Sequence, residues 1–533
     1  MKFVRRLTAL VLCCVFATAL FACGNAETHT HALLYHQGRE STCTKEGKLE
    51  YWECVDCGKL YSDKECKSEI TVEETKLQKV AHDTIHHEAT EATDEKTGNI
   101  EYWECKNCGK LFSDAACSKQ IAAKDTETNT LGTLVDFFVD VPDGRDIVVL
   151  QITDTQIIDS NTMRRPDRLD ATSISSYRNE SEYDSMEKYC FKYLREMVSE
   201  INPDFIIMTG DNTYGEFDDD GHILLRLIEV MESFEIPWAP VFGNHDLETN
   251  KGADWYSEQY ENAEYCCFKQ RTLSGNGNYT VGIRQGGELK RLFVMLDSEG
   301  CGNASQMSLA NGHTHKEKGF KQDQIEWYTD TITKIKNFVP TVKISFAYHI
   351  QMEMVFKALR ETYGSNLFPQ YEGYVEIDPI LSIDRVIEKQ ASDFGFVNEM
   401  APAWDSDFTV YNGIKALGVD SMFLGHCHTN CYSVVYDGIR FQFGLKSSRH
   451  DFLAIVNKTT GAMRQGFWLD TDDGNTGSCP LIGGTVIPLS QYNGAILEPY
   501  IYYCTGAGKE VDWSQWNNTI STNDDWSSHY TEY

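Results

Sequence analysis

Short apolar runs alternate with longer amphipathic segments over residues 133–450 of the chain. The apolar runs are four to six residues long, which is typical of buried strands. The amphipathic segments repeat apolar residues at helical spacing. The predicted strands are residues 147–152, 205–208, 239–242, 342–347 and 421–424, and the main predicted helices are residues 185–201 and 222–234. This alternation of strands and helices predicts an α/β fold.

Polar residues with metal-binding or acid–base chemistry follow each predicted strand. An α/β sheet places its functional site at the carboxyl ends of its strands, so these residues are expected to converge. In chain order they are Thr153-Asp154, Gly210-Asp211, Gly243-Asn244-His245-Asp246, Tyr348-His349 and Gly425-His426-Cys427-His428.

The order of these motifs resembles the calcineurin-like metallophosphoesterase superfamily, which includes the purple acid phosphatases. The set reads Asp-x-Gln, Gly-Asp-x-x-Tyr, Gly-Asn-His-Asp, His and Gly-His-x-His, and the resemblance covers roughly residues 145–450. It implies a four-layer α/β/β/α sandwich. It also implies hydrolysis of phosphomonoesters or phosphodiesters by a hydroxide bound to two metal ions, which are Fe, Mn or Zn.

The resemblance also implies a role for each site residue. Asp211 would bridge the two metals, and Asp154 and His428 would bind the first metal. The second metal would be bound by Asn244, His349 and His426. His245 would act on the substrate as a general acid or as a stabiliser of charge, with Asp246 orienting its ring.

The chain departs from the common family pattern at Gln156, where a histidine usually binds the first metal. Asp211-Asn212-Thr213-Tyr214 matches the purple acid phosphatase pattern, in which the tyrosine is a ligand. Either Gln156 or Tyr214 would then complete the first metal site, and a phenolate from Tyr214 suits ferric iron. The alternative is that Tyr214 packs beside a weakened first metal site.

Two copies of a Cys/His-rich segment precede this region, since Tyr51-Trp52-Glu53-Cys54 recurs 51 residues later at Tyr102. Both copies share His-x4-His-x17-Cys-x2-Cys, which suits a tetrahedral zinc site. The predicted ligands are His31, His36, Cys54, Cys57 in the first copy and His82, His87, Cys105, Cys108 in the second. Disulfides Cys54–Cys57 and Cys43–Cys66 are the alternative. The copies resemble zinc-ribbon-like repeats on Gram-positive surface proteins, which implies a spacer or surface-attachment role.

The N-terminus has the pattern of an export signal. Residues 1–6 are basic, residues 7–21 are apolar, and Leu20-Phe21-Ala22-Cys23 resembles the lipobox of bacterial lipoproteins. Lipidation of Cys23 would anchor the protein to the outer face of the bacterial cell membrane. The alternative is an ordinary cleaved signal followed by an unmodified cysteine.

The net charge of the chain excludes one class of partner. The 533 residues carry 48 Lys plus Arg against 80 Asp plus Glu, a net charge of −32, which argues against nucleic acid as a partner.

Taken together, the motifs predict a signal peptide (1–23), two zinc repeats (24–75 and 76–127) and a phosphoesterase domain (128–533). The alternatives are a surface binding protein with a disabled site, and a nucleotidase or pyrophosphatase of the same fold.

Overall fold

The computed structural model describes residues 31–94, 96–158, 180–215, 220–299, 319–363, 393–397, 403–405, 407–457, 463–467 and 478–504. Cys23 and the predicted signal peptide lie outside these ranges. The chain folds as two compact units. The first holds the residues up to Ala92 together with Gly98–Thr128, and the second holds Thr93–Thr97 together with the residues from Asn129 onward.

The first unit consists of short strands in two equivalent sets. The first set is β1 (Leu33–His36), β2 (Gly47–Lys48), β3 (Tyr51–Cys54), β4 (Leu60–Tyr61), β5 (Glu69–Ile70) and β6 (Lys76–Leu77). The second set is β7 (Thr84–His87), β8 (Gly98–Asn99), β9 (Tyr102–Cys105), β10 (Leu111–Phe112), β11 (Gln120–Ile121) and β12 (Glu127–Thr128). Each strand of the second set begins 51 residues after its counterpart.

Both repeats have the same topology. The four-stranded sheets run β1-β3-β4-β5 and β7-β9-β10-β11, and the pairs β2-β6 and β8-β12 complete them. A tight turn follows β3, in which the backbone N–H of Cys54 bonds the Lys59 carbonyl and Gly58 has a φ of +69°. A residue with a Cβ is strained in this left-handed conformation, which favours glycine here and at the equivalent Gly109.

The second unit alternates strands and helices. Its strands are β13 (Phe137–Val141), β14 (Ile147–Ile152), β15 (Phe205–Met208), β16 (Trp238–Pro240), β17 (Tyr279–Gln285), β18 (Glu288–Met295), β19 (Lys343–Ala347), β20 (Phe394–Phe396), β21 (Ser421–Leu424), β22 (Cys431–Tyr436), β23 (Ile439–Phe443), β24 (Phe452–Asn457), β25 (Met463–Phe467), β26 (Ser478–Pro480), β27 (Gly483–Leu489) and β28 (Tyr500–Tyr503). Its helices are α1 (Leu131–Leu134), α2 (Glu180–Ile201), α3 (His222–Glu232), α4 (Ala253–Glu261), α5 (Gln322–Phe338), α6 (Glu353–Tyr363) and α7 (Thr409–Ala416).

Two mixed sheets form the centre of this unit. The five-stranded sheet has the order β16-β15-β14-β27-β28, with β14, β15 and β16 parallel. The eight-stranded sheet has the order β13-β17-β18-β19-β21-β23-β22-β20, with β18, β19, β21 and β23 parallel. A small third sheet contains β25, β24 and β26.

Alternate side chains of the eight-stranded sheet belong to two different hydrophobic cores. In β18, Phe293 and Met295 join the core that contains the five-stranded sheet and helices α2, α3 and α4. Leu292 and Val294 join the other core, with helices α5, α6 and α7. Because strand side chains alternate between faces, this division defines four layers, α/β/β/α. The predicted fold class is therefore confirmed.

The five predicted strands recur in the structure, three of them with the predicted bounds: Ile147–Ile152, Phe205–Met208 and Ser421–Leu424. The strand expected at 239–242 is displaced and ends at Pro240. Both predicted helices are present, and the first extends back to Glu180. Of the helices that the structure describes, none has the length and apolarity needed to cross a bilayer.

Candidate metal centre

Two groups of carboxylates and imidazoles meet where strands of both large sheets end. The ligand atoms within each group lie within 4.8 Å of one another. One group contains Asp154, Asp211 and His428, and the other contains Asp211, His349 and His426. Asp211 belongs to both groups, which is the position required of a carboxylate that bridges two metal ions.

The Asp211 carboxylate is buried and held from two sides. Its Oδ1 accepts a hydrogen bond from the backbone N–H of His245 (2.8 Å), and its Oδ2 lies 3.2 Å from Nε2 of His349. Burial alone would raise the pKa of Asp211, but the neighbouring His349 and His245 hold that pKa well below its usual range. Asp211 is therefore an anion, as a carboxylate that bridges two metal ions must be.

Gly243 makes room for this carboxylate. A Cβ atom at position 243 would lie 2.2 Å from both the backbone nitrogen and Oδ1 of Asp211, which is much closer than non-bonded atoms can approach. The glycine of the Gly-Asn-His-Asp motif therefore lets one loop pass directly against the bridging aspartate.

Asp154 joins the loops of the two sheets. Its Oδ2 accepts a hydrogen bond from the Thr153 hydroxyl (2.6 Å), and the backbone N–H of His426 donates to both of its carboxylate oxygens (3.1 Å). His428 Nε2 lies 3.6 Å from Oδ1. Asp154, Asp211 and His426 all have positive φ values, of +49°, +50° and +81°. Such strained backbone is concentrated at functional sites.

Two further atoms have the properties of ligands. The Nδ1–H of His349 donates to the Thr209 carbonyl (2.8 Å), which leaves Nε2, 3.2 Å from Oδ2 of Asp211, as the nitrogen available to a metal ion shared with that carboxylate. The Oδ1 atom of Asn244 is buried and has no hydrogen-bond partner among the described residues. A buried, unsatisfied amide oxygen is costly unless a cation occupies its lone pairs. The donor set therefore fits two metal ions.

A family model described as calcineurin-like phosphoesterase matches residues 147–430, which are 284 of the 533 residues and include every ligand candidate above. The chain belongs to the calcineurin-like phosphoesterase family. A 72-residue segment is 40% identical to a protein named probable inactive purple acid phosphatase 28 from Arabidopsis thaliana, and covers 12% of this chain and 18% of that protein.

Two solved structures are also similar. A dimetal phosphatase from Danio rerio shares 11% identity over 67% of this chain and 98% of its own, with a TM-score of 0.32. The purple acid phosphatase PPD1 from yellow lupin shares 10% identity over 76% of this chain and 59% of its own, with a TM-score of 0.31.

His428 has a second carboxylate partner that the family motifs did not indicate. Its Nδ1 lies 3.2 Å from Oδ2 of Asp451, which is buried beyond β23. A carboxylate on the far nitrogen fixes the orientation of a ligating imidazole and increases its basicity. Asp451 lies outside the matched region, 23 residues after His428, so the spacing of the motifs does not indicate that it contacts this histidine.

Gln156 reaches the site but its amide oxygen is already bonded. Lys446 Nζ donates to Oε1 of Gln156 (2.6 Å) and to the backbone carbonyl of Asp154 (3.0 Å), while Nε2 of Gln156 faces Oδ2 of Asp211 at 3.5 Å. Burial lowers the pKa of Lys446, although Asp154 and Asp451 oppose this shift. Gln156 thus connects the lysine to the bridging aspartate, and Lys446 is a site residue that sequence reasoning missed.

His245 is held by Glu248 and not by the predicted Asp246. Nδ1 of His245 lies 2.8 Å from Oε2 of Glu248, on the next turn of the short helix Asp246–Glu248. Burial acts to lower the pKa of His245, but the charges of Glu248 and Asp211 outweigh it and raise the pKa to about 10. Tyr214 stacks on the same ring, with the two ring centroids 4.2 Å apart.

The predicted role of Asp246 is therefore wrong. Its carboxylate instead accepts hydrogen bonds from the backbone N–H groups of Thr213 (2.8 Å) and Gly243 (2.9 Å), and from the Asn212 amide (3.3 Å). Asp246 ties together the two loops that carry Asp211 and Asn244. Residues three apart lie on the same side of a helical turn, so Glu248 contacts the imidazole of His245. Asp246, the next residue after His245, faces the two loops instead.

In the first unit the structure brings together only part of each predicted zinc set. His31, Cys54 and Cys57 form one group, and His82, Cys105 and Cys108 belong to another. His36 and His87 bond Glu53 and Glu104 instead, at 2.8 and 3.2 Å.

The prediction that His36 and His87 are zinc ligands is therefore wrong, for a reason of strand register. His36 pairs with Tyr51, whereas Leu33 pairs with Cys54. Three residues of strand, about 10 Å, separate His36 from the cysteine end of the hairpin. Both histidines stack on tyrosines, with ring centroids 4.4 Å (Tyr51) and 4.3 Å (Tyr102) away.

Proposed function

We propose that this chain is an extracytoplasmic, metal-dependent phosphoesterase that hydrolyses phosphomonoesters or phosphodiesters. The observation that carries the proposal is the sharing of Asp211 between two ligand groups from opposite sheets. Family membership supports it. The first metal would be held by Asp154, Asp211 and His428, and the second by Asp211, Asn244, His349 and His426.

The chain's own residues supply the rest of the chemistry. Two bound metal ions would polarise the phosphoryl group and activate the attacking water. His245 lies next to Asn244, and its raised pKa keeps the ring protonated at neutral pH. A protonated imidazole in this position donates a proton to a leaving-group oxygen or stabilises the negative charge on it. Glu248 fixes which nitrogen faces the substrate.

The lipid anchor and the cellular location belong to the same proposal. They are supported by the basic and apolar segments before Cys23 and by the lipobox-like sequence there. The two N-terminal repeats would then separate the phosphoesterase from the membrane surface.

A binding protein with a disabled centre is the second candidate. It is favoured by the hydrogen bond from Lys446 to Gln156, which occupies the side-chain oxygen at the position where the family usually has a ligating histidine. The name of the Arabidopsis relative, probable inactive purple acid phosphatase 28, points in the same direction. Metal content and turnover distinguish the two candidates.

The test compares the full-length protein with its Asp211→Asn variant. We expect the wild type to hold about two more metal ions per chain than the variant, by elemental analysis, and to hydrolyse p-nitrophenyl phosphate or its bis ester. The variant should lose both the metals and the activity, since its amide no longer bridges. Asp254→Asn, an exposed position on α4, is the matched control and should change neither.

Equal metal content in the wild type and Asp211→Asn would contradict the assigned ligands. About two more metals in the wild type than in Asp211→Asn, with no hydrolysis of either ester, would favour the binding protein.

A further inference from the structure

The sulfur of Cys43, in the first repeat, lies with the three candidate zinc ligands of the second repeat. Cys43, His82, Cys105 and Cys108 have ligand atoms that all lie within 4.8 Å of one another. Cys43 lies in a turn before β2, between Thr42 and Lys45, whose backbone groups bond each other (2.8 Å). Cys43 and Cys105 are both buried in the small core beside Phe112.

The distances between these atoms are those of a tetrahedral zinc site. With Zn–S bonds of about 2.3 Å and Zn–N bonds of about 2.0–2.1 Å, two sulfurs lie about 3.8 Å apart and a sulfur and a nitrogen about 3.6 Å apart. The Sγ atoms of Cys43 and Cys105 are 3.8 Å apart. Sγ of Cys108 and Nδ1 of His82 are 3.6 Å apart.

A disulfide does not explain the cluster. A disulfide needs sulfurs about 2.05 Å apart, far less than the separation of Cys43 and Cys105. Cys43 and Cys66, the alternative pair considered from the sequence, are both thiols. The backbone N–H groups of Asn107 and Cys108 point at the sulfur of Cys105, an arrangement that supports a thiolate in a metal-binding turn.

We propose that Cys43, His82, Cys105 and Cys108 form a Cys3His zinc site shared between the two repeats. One thiolate comes from the first repeat, and the other three ligands come from the second. The zinc ion would therefore cross-link the repeats, which is consistent with their forming one compact unit. The 51-residue repeat could not reveal this site, because position 94, equivalent to Cys43, is an aspartate.

The first repeat differs in its ligand set. Its group contains His31, Cys54 and Cys57, with Sγ of Cys57 3.8 Å from Nδ1 of His31. Among the described residues, no fourth His, Cys, Asp or Glu belongs to this group. We therefore expect two unequal zinc sites, with the shared site the tighter one because it has a complete tetrahedral set.

Cobalt substitution in the full chain tests the shared site. The background is a Cys54→Ser, Cys57→Ser variant, which removes the thiolates of the first group. Thiolate-to-cobalt absorbance then reports the second site, since the phosphoesterase ligands are oxygens and imidazoles. Cys43→Ser should lower this absorbance by about one third, from three thiolates to two, and weaken zinc at least about tenfold in chelator competition. Cys117→Ser is the matched control and should change neither.

The opposite pattern, in which Cys117→Ser weakens zinc and Cys43→Ser does not, would overturn the proposal and make each repeat self-contained. A measurement on the unaltered chain covers the case in which Cys43→Ser does not fold. Zinc should slow the alkylation of Cys43 relative to chelator-treated protein, and leave that of Cys117 unchanged. Equal alkylation of Cys43 with and without zinc would contradict a ligand role.

Discussion

Glu248 raises the pKa of His245, the histidine that we propose faces the substrate. Its carboxylate contacts Nδ1 of His245 at 2.8 Å, and both side chains are largely buried. The pKa of His245 is raised, so the ring is protonated below that pKa and its role as a proton donor is lost as the pH rises through it. Glu248→Gln removes the charge that stabilises the protonated ring. We expect the alkaline limb of kcat/KM to move to lower pH, by on the order of one unit.

A pH–rate profile at saturating metal measures this shift. Asp254→Asn removes a negative charge from an exposed position and should leave the profile in place. If the alkaline limb of Glu248→Gln coincides with that of the wild type, His245 is not the group whose deprotonation limits activity. The conservative variant Glu248→Asp should give an intermediate shift if a carboxylate at this position is what matters.

The loop after β16 acts through its backbone as well as its side chains. A Cβ at Gly243 would lie 2.2 Å from atoms of Asp211, and neither the backbone nitrogen nor the anchored Oδ1 can move freely. We expect Gly243→Ala to displace the bridging carboxylate and to weaken metal binding at both positions by at least about tenfold. Isothermal titration with Mn²⁺ measures the affinities.

Gly413→Ala is the control for this loop prediction. Gly413 lies in α7, and a Cβ there meets no atom within 4 Å. Alanine is the better helix former by about 1 kcal/mol, so this variant should bind metal normally and be slightly more stable. Normal affinity in Gly243→Ala as well would show that the loop relaxes without moving Asp211.

At the scale of elements, buried parallel strands were the easiest features to predict. The apolar runs at Ile147–Ile152, Phe205–Met208 and Ser421–Leu424 gave correct bounds because both faces of these strands are covered. The residues directly after them gave the candidate ligands for the same reason. Glu248, Lys446 and Asp451 contact residues of the site but do not directly follow a predicted strand. The packing of loops brings them there, so the sequence pattern does not indicate them.

Repetition was informative about structure and misleading about ligands. His36 and His87 recur because each pairs with a tyrosine and a glutamate across the same hairpin. Cys43 does not recur, because the equivalent position 94 is an aspartate, although its sulfur lies with the candidate ligands of the second repeat. A repeat comparison finds what the copies share, so it cannot detect a contact that one copy makes with the other.

At the scale of the whole molecule, the metal centre connects the two sheets of the sandwich. Asp154, Asp211 and Asn244 follow strands of the five-stranded sheet, and His349, His426 and His428 follow strands of the eight-stranded sheet. The ligands span 275 positions of the chain, from 154 to 428, so no local segment contains the site. The order of the motifs and the family resemblance predicted these candidate ligands and the bridging place of Asp211, and the fold brings their side chains into two groups that share Asp211.

Since its ligands come from both sheets, metal binding should stabilise the second unit as a whole. Mn²⁺ prefers carboxylate and carbonyl oxygens over thiolates, so it should act on this unit and not on the Cys-rich one. At free Mn²⁺ about 100 times Kd, mass action adds about 2.7 kcal/mol for each site, so about 5.4 kcal/mol for the two sites, or about 6 °C for a unit of about 400 residues. Calorimetry of the full chain should show this rise in the larger transition of the wild type and none in Asp211→Asn. An equal rise in both proteins would mean that Mn²⁺ stabilises the unit through other groups.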